Sequence, residues 1–127
     1  MAIIKRYIDW YNVQKYIESV YYAFKDDDVT GVYGIPRGGL ILAVLVSHKM
    51  NIPLLQAPIE NCIIIDDICD SGETLVHYAK NTSGREVPKY HITTMHYKKN
   101  DLMEPELWYD YKNTENEWIV YPWEVNK

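Results

Sequence analysis

The sequence predicts an α/β fold with an open, twisted and mainly parallel sheet that is flanked by helices. Apolar segments of strand length alternate with segments of helical periodicity along the chain, a pattern typical of parallel sheets with right-handed crossovers. The segment Cys62 to Ile65 is apolar at every position, which indicates a central strand that is covered on both faces. The length of 127 residues fits a single domain, residues 1–127, with one core.

The first half of the chain is predicted to contain two helices and two strands. The segment Asp9 to Asp26 has an amphipathic helical stripe, with Asp9 as a possible N-cap. The stripe comprises Trp10, Val13, Ile17, Val20 and Phe24. Gly31 to Ile35 is predicted as a short strand that leads into a glycine-rich turn, Leu40 to Met50 as a buried helix, and Ile52 to Leu55 as a second strand.

The second half is predicted to continue the alternation of strands and helices. After the strand at Cys62 to Ile65, a helix is predicted over Glu73 to Lys80. The turn-rich segment NTSGREVP separates this helix from strands at Tyr90 to Tyr97 and Leu107 to Tyr111. In such a sheet, ligands bind beyond the carboxyl ends of the strands, where the stretches IPRGG and DDICDSGET are both predicted to lie.

Composition and charge argue against several classes of function. The net charge of −5 weakens any model of broad attraction to nucleic acid or membranes. No segment approaches the roughly 20 apolar residues that a bilayer-spanning helix requires, and the N-terminus lacks the features of a signal peptide. We therefore expect a cytoplasmic protein with no membrane or nucleic-acid partner. Cys62 and Cys69 are expected to be reduced packing residues.

The stretch NCIIIDDICDSGETL places three acids around the end of the predicted central strand. Asp70 to Thr74 form a tight turn into a predicted helix, where backbone N–H groups and two hydroxyl groups favour an anion such as phosphate. Asp66 and Asp67 offer acceptors for hydroxyl groups or a divalent cation. A ribose 5-phosphate would satisfy both features. The alternative is an ordinary capped helix start with solvated acids, but the length of the pattern favours the ligand site.

These residues carry a resemblance to a known family. IIIDDICDSGETL resembles the phosphoribosyl-pyrophosphate signature of the type I phosphoribosyltransferases, and GVYGIPRGGLILAVLV resembles their pyrophosphate loop. The segments KRYIDWYNVQKYI and EWIVYPWE resemble the opening helix and the small C-terminal base-binding segment of the bacterial xanthine-guanine (6-oxopurine) phosphoribosyltransferases. The resemblance spans nearly the whole chain and implies the fold of that family.

The resemblance implies roles for the residues that would hold the sugar donor. Asp66 and Asp67 would hold the ribose hydroxyl groups directly or through Mg²⁺, which makes Mg²⁺ the expected cofactor. Pro36, Arg37, Gly38 and Gly39 would bind the pyrophosphate, and the family's peptide bond before the arginine is often cis. The residues that would wrap the 5-phosphate are Ser71, Gly72, Glu73 and Thr74, and Asp70 is also counted among the residues of the donor site. A solvated Pro-Arg-Gly-Gly turn is the alternative for the loop that contains Arg37.

The resemblance also implies the residues that would bind the purine. Asp70 would lie near purine N7 as a proton acceptor, and Lys98 would read the exocyclic 6-oxygen, with Lys99 leaving a register ambiguity of one residue. Trp118 would stack on the base and Ile119 would contact it through main-chain groups. From residue type alone, a lysine at a strand end is more often a solvated charge, and a lone tryptophan is more often a core residue.

The implied activity is a Mg²⁺-dependent purine phosphoribosyltransferase, with Arg37 and Asp70 as its catalytic residues. Its partners would be phosphoribosyl pyrophosphate, a 6-oxopurine and further copies of the chain in a dimer or tetramer. One departure from the family is the segment Asn51 to Asn61, which is too short to form the family's mobile loop over the site. This departure motivates a second hypothesis, a non-catalytic sensor of phosphoribosyl pyrophosphate or a nucleotide.

Overall fold

The computed structural model describes residues 2–79 and 89–124. Six strands and three helices occur within these residues. In chain order they are β1 (Ile4–Tyr7), α1 (Trp10–Phe24), β2 (Val32–Gly34), α2 (Gly38–Met50), β3 (Ile63–Cys69), α3 (Val76–Ala79), β4 (His91–Tyr97), β5 (Leu107–Tyr111) and β6 (Glu117–Val120). No helix within the described ranges is long and apolar enough to cross a bilayer.

The larger sheet has four parallel strands in the order β2-β3-β4-β5. Ile63, Ile64 and Ile65 of β3 have no solvent-exposed surface, because β3 lies between two strands and is packed on both faces. The predicted α/β architecture and the central position of this apolar strand are therefore confirmed. The carboxyl ends of β3, β4 and β5 are in register, since Cys69 pairs with Tyr97 and Tyr97 pairs with Tyr111.

Two hydrophobic clusters cover the two faces of this sheet. On one face, the stripe of α1 and the apolar side of α2 pack against Ile63, Ile65 and Met95. The other face contains Ile64 and Leu75 together with a group of aromatic residues. Asp9 caps α1 through a hydrogen bond from the Asn12 amide to its carboxylate (2.9 Å), as the sequence predicts. Both cysteines are buried and free.

Three predicted element boundaries are wrong. Ile52 to Leu55 does not form a strand: only Leu54 bridges to Val32, and Pro53 within the segment lacks an N–H group for a ladder. β3 does not end at Ile65 but continues to Cys69, because the pairing with β4 extends past both acids. α3 starts at Val76 rather than at Glu73; the predicted end at Lys80 lies outside the described residues.

A second, two-stranded parallel sheet was not predicted. It pairs β1 with β6, two segments from opposite ends of the chain. The segment KRYIDWYNVQKYI, which the resemblance assigns to an opening helix, therefore begins as strand and becomes helical only at Trp10. This sheet places β6, with Trp118 and Ile119, beside the carboxyl edge of the larger sheet, where both residues line a cavity that also contains Asp67 and Asp70.

Candidate functional site

The two unusual loops of the sequence lie side by side at the carboxyl edge of the sheet. The Pro36–Arg37 peptide bond is cis, as the resemblance implies, and α2 begins immediately after it at Gly38. Gly38 is so close to the Asp67 carboxylate that a Cβ at this position would overlap it. Residues 36–39, the arginine-glycine turn, and the acidic end of β3 therefore form one continuous surface.

The members of the arginine-glycine turn differ in their accessibility. Pro36 and Arg37 are exposed. The Arg37 carbonyl oxygen accepts from the Leu40 amide (3.1 Å), whereas its guanidinium has no hydrogen-bond or ion-pair partner within the described residues. Gly39 is buried, and its amide already donates to the carbonyl oxygen of Ile35 (2.9 Å). Of the residues predicted to bind pyrophosphate, Arg37 and Gly38 are thus directed to the open cavity, whereas the Gly39 amide has an internal partner.

Asp66 and Asp67 are half-buried at the edge of the sheet. The Asp67 amide donates to Asp66 Oδ1 (2.9 Å), and the Ile68 amide donates to Asp67 Oδ1 (2.7 Å). Burial, followed by the charge of Asp67, raises the pKa of Asp66 to about 8. Burial also raises the pKa of Asp67, although hydrogen bonds partly oppose the shift. A cation or hydroxyl donors at this pair would therefore relieve a real electrostatic cost.

The predicted phosphate turn depends on a glycine and on local hydrogen bonds. Gly72 has φ +85°, a conformation that favours glycine, and a Cβ there would lie 2.7 Å from the side-chain oxygen of Asn100. The Glu73 amide donates to the Ser71 hydroxyl (3.3 Å), and Ser71, Glu73 and Thr74 are exposed. Because α3 begins only at Val76, the turn itself, rather than a helix N-terminus at Glu73, forms the concavity.

Asn100 supports this turn and was not identified from the sequence. Its side-chain nitrogen donates to the carbonyl oxygens of Asp70 (3.1 Å) and Lys98 (3.0 Å), and its side-chain oxygen accepts from the amides of Leu102 and Met103, both at 2.9 Å. One side chain thus ties the phosphate turn to the segment after β4. The available signal was the dipeptide Asn100-Asp101 shortly after a predicted strand, which is typical of a turn.

Asp70 and Lys98 are both engaged in ion pairs with the connection between β5 and β6. Lys112 donates to Asp70 Oδ2 (2.5 Å), and Lys98 is paired with Glu115. The hydrogen bond with Glu115 raises the pKa of Lys98, and Asp70 is also close enough to contribute to this increase. Of the two neighbouring lysines that could bind the purine, Lys98 is partly buried and Lys99 is exposed. Lys112 was missed by sequence reasoning.

Two adjoining cavities connect the acidic strand with the C-terminal segment. The larger has a volume of about 690 Å³ and is lined by Arg37, Gly38 and Asp67 together with two tryptophans. The smaller, about 200 Å³, is lined by Asp70 and other charged groups. Trp118 lines both cavities and is 56% exposed, so one face of its indole is available for stacking.

The other predicted purine contact, Ile119, is mostly in the core. Its side chain is 7% exposed and belongs to the main hydrophobic cluster, which leaves its main chain as the part that could contact a base. Next along the chain, the Tyr121 hydroxyl donates to the Asp67 carbonyl oxygen (3.0 Å) and accepts from His96 Nδ1 (2.9 Å). These two hydrogen bonds fix the C-terminal segment against the acidic strand.

The side chains described at this site do not by themselves complete the coordination shell of a metal ion. Within residues 2–79 and 89–124, no group of three His, Cys, Asp or Glu side chains could hold a metal ion. The pair Asp66 and Asp67 supplies carboxylate oxygens, which are the ligands that Mg²⁺ prefers, and Mg²⁺ commonly completes its shell with water and substrate oxygens. The site therefore fits a metal that arrives with a phosphorylated ligand.

Comparison with known proteins agrees with this geometry. No protein-family model matches the chain. The xanthine-guanine phosphoribosyltransferase of Desulfotalea psychrophila is 23% identical over 147 residues, which cover 93% of this chain and 85% of the relative. A purine phosphoribosyltransferase structure from Pyrococcus horikoshii matches with a TM-score of 0.77 and 23% identity over 97% of this chain and 95% of that one.

A second solved structure leads to the same fold. The xanthine-guanine-hypoxanthine phosphoribosyltransferase of Helicobacter pylori matches with a TM-score of 0.71 and 14% identity, over 96% of this chain and 95% of that one. The resemblance predicted from the sequence motifs is confirmed by these matches, and the chain has the fold of the purine phosphoribosyltransferases.

Proposed function

We propose that this chain, which has the purine phosphoribosyltransferase fold, transfers the 5-phosphoribosyl group of phosphoribosyl pyrophosphate to a 6-oxopurine and releases pyrophosphate. The observation that carries the proposal is the contact between Gly38 and the Asp67 carboxylate. It brings an arginine-glycine turn against an acidic strand end, so that one ligand with a pyrophosphate at one position and ribose hydroxyl groups at the next would fit both. The names of the relatives support the same class of reaction.

Two loops would bind the two phosphorylated ends of the sugar donor. The turn from Ser71 to Thr74 would hold the 5-phosphate through amide and hydroxyl donors, which suit an anion. Arg37 would hold the pyrophosphate, because a guanidinium presents several donors in a plane that matches phosphate oxygens. As the bond between ribose C1 and the pyrophosphate oxygen breaks, its electron pair leaves with the pyrophosphate, and Arg37 would stabilise that developing charge.

Asp66 and Asp67 would hold the ribose hydroxyl groups and Mg²⁺. Both carboxyl groups are destabilised as anions by burial, so a bound cation would lower their pKa values toward the ordinary range. When bound, Mg²⁺ neutralises charge on the leaving pyrophosphate.

The base half of the site would be built around Trp118 and Asp70. The exposed indole would stack on the purine, and Lys98 would donate to the 6-oxygen after release from Glu115, whose side chain is 80% exposed. As purine N9 forms its bond to ribose C1, the base must lose a proton, which Asp70 would accept at N7. General-base catalysis of this kind contributes on the order of 10²- to 10⁴-fold in rate.

The connection between α2 and β3 would leave this site more open than a lidded one. Residues 51–62 are irregular apart from the bridge at Leu54, and they contain no segment long enough to cover the cavities. Water exclusion by a closing loop is one source of catalytic power. We therefore expect slow hydrolysis of the donor beside transfer to a purine.

The proposal is tested by mixing the protein with phosphoribosyl pyrophosphate, Mg²⁺ and guanine, xanthine or hypoxanthine, and measuring nucleotide by chromatography. Nucleotide and pyrophosphate should appear together, with pyrophosphate exceeding nucleotide by the amount of donor that is hydrolysed. Donor binding with no turnover for any base would favour the sensor hypothesis instead. If calorimetry detects no binding of the donor, both the transferase and the sensor hypotheses are wrong.

Two variants test the assignment of the catalytic residues. Asp70→Asn is expected to lower kcat by about 100-fold, the lower end for loss of a general base, with little change in donor affinity. Arg37→Ala is expected to raise the KM for the donor by about tenfold or more, because a charge-assisted hydrogen bond is lost. Glu104→Gln and Lys25→Ala remove surface charges elsewhere and serve as controls. Full activity in both site variants would refute the assignment.

A further inference from the structure

Three charged residues are aligned at the carboxyl edge of the sheet. The last residues of β3, β4 and β5 are in register, and the residues that follow them are Asp70, Lys98 and Lys112. The Lys98 amide donates to the last carbonyl oxygen of β3 (2.8 Å), and the Lys112 amide donates to the last carbonyl oxygen of β4 (3.0 Å). The backbone at Lys98 and Lys112 is therefore held by the sheet, and the Asp70 carbonyl oxygen accepts from the Asn100 side chain (3.1 Å).

The ion pair within this row connects its two outer members. Lys112 Nζ lies 2.5 Å from Asp70 Oδ2, and the side chains are 10% and 41% exposed. Lys98, which lies between them in strand order, is paired with Glu115 instead. Asp70 Oδ1 has no hydrogen-bond partner among the described residues. One carboxylate oxygen is thus held by a nearly buried ammonium group, and the other is left available.

Lys112 also lines the small cavity that contains Asp70 and one side of Trp118. Asp67, Glu117 and Glu124 line the same cavity, so a carboxylate at position 70 without a cationic partner would face several like charges. Lys112 therefore counters the negative charge at the place where the proposed reaction needs Asp70 as a hydrogen-bond acceptor.

We propose that Lys112 is a positioning residue for Asp70: its ammonium group holds Oδ2 and directs Oδ1 to the purine. This inference rests on the proposed transferase function, because it assigns a role in that reaction. A purely structural ion pair would affect only stability when it is removed. A positioning residue affects catalysis with the purine specifically, since Arg37 and the turn from Ser71 to Thr74 would hold the phosphate groups of the donor.

The test uses steady-state kinetics of Lys112→Met with saturating donor and varied purine, together with the affinity for phosphoribosyl pyrophosphate by calorimetry. We expect kcat/KM for the purine to fall by about tenfold, the effect of a lost charge-assisted hydrogen bond, and donor affinity to change less than twofold. Lys112→Arg should restore kcat/KM to within about threefold of wild type. Lys15→Met, which removes a lysine from the ion pair with Glu18 on α1, is the matched control.

A double-mutant cycle separates positioning from a general effect on folding. In the Asp70→Asn background, Lys112→Met should change kcat/KM by less than about twofold, because the group that it positions is already gone. The same tenfold loss in both backgrounds would overturn the inference, as would a lower melting temperature with unchanged kinetics. If Lys112→Met does not fold, Lys112→Gln takes its place in the cycle.

The outcome also distinguishes this inference from the proposed function. If the wild-type protein forms no nucleotide, the transferase assignment fails before the variants are compared. If the wild-type protein is active and the cycle shows no coupling between positions 70 and 112, only the role of Lys112 is wrong.

Discussion

Acidification is expected to destabilise this protein through His96, whose side chain is completely buried. His96 Nδ1 donates to the Tyr121 hydroxyl (2.9 Å), because that hydroxyl uses its own hydrogen for the Asp67 carbonyl oxygen. A second proton would have to bind Nε2, which is buried and has no hydrogen-bond partner within the described residues. Burial, followed by the positive charge of Arg6, lowers the pKa of His96 to about 4.

The size of the effect follows from the difference between the folded and unfolded pKa values. The ordinary pKa of histidine is 6.5 and the folded value is about 4, so between these values the unfolded chain binds more protons and the free energy of unfolding rises with pH. Relative to neutral pH, His96 alone removes about 2 kcal/mol at pH 5 and about 3 kcal/mol near pH 4. Above about pH 7.5 its contribution is constant.

The measurement is urea unfolding of wild type and His96→Asn from pH 5 to 7.5, followed by tryptophan fluorescence. Asp66 acts in the opposite direction over this range, because its raised pKa favours the folded state at low pH, so the two proteins must be compared at each pH. The stability advantage of wild type over His96→Asn should shrink by about 2 kcal/mol between pH 7.5 and 5.

An exposed histidine provides the matched control for the buried His96. His48→Asn removes an exposed histidine from α2 and should follow the pH dependence of wild type. If the difference between wild type and His96→Asn is the same at pH 5 and pH 7.5, the imidazole is accommodated in its charged form and the reasoning from burial is refuted.

Two further predictions concern the donor site. Gly38→Ala should weaken binding of phosphoribosyl pyrophosphate by about tenfold or more, since its Cβ would displace the Asp67 carboxylate. Calorimetry measures the affinity, and Val44→Ala, at an exposed position of α2, is the control. Unchanged affinity in Gly38→Ala would show that the contact with Asp67 is unimportant. Mg²⁺ at 100 times its dissociation constant should add about 2.7 kcal/mol to the free energy of unfolding of the donor-bound protein, which is measured as a higher melting temperature. This gain should be lost in the double variant Asp66→Asn/Asp67→Asn. A gain retained in that variant would place the metal elsewhere.

The position of the two predicted loops in the fold follows from residues that are local in sequence. A stretch of apolar residues followed by acids and a glycine turn encodes a strand, its carboxyl end and a concave loop within one short segment. The same applies to the turn of Arg37 and Gly38. The contact between the two segments also follows from topology, because neighbouring parallel strands end at the same edge.

The wrong or missing element predictions concern segments whose structure depends on partners distant in the sequence. The β1–β6 pairing joins Ile4 to Glu117, and neither short segment shows on its own whether a partner strand exists. β3 extends through Asp66 and Asp67 because β4 continues beside it, and hydropathy alone stops a strand at the first acid. α3 begins late because Gly72 takes a left-handed conformation, which postpones the first helical turn.

By itself, the amino-acid sequence determined the α/β class, the apolar central strand, the amphipathic stripe of α1 and the position of two loops at the carboxyl ends of the strands, since periodicity and motif spacing are properties of neighbouring residues. Only the tertiary structure decided that Lys112 reaches Asp70, that Glu115 holds Lys98 and that His96 is buried against Tyr121. Charged side chains are long and strand ends give them several possible partners, so their pairing depends on the register of the whole sheet.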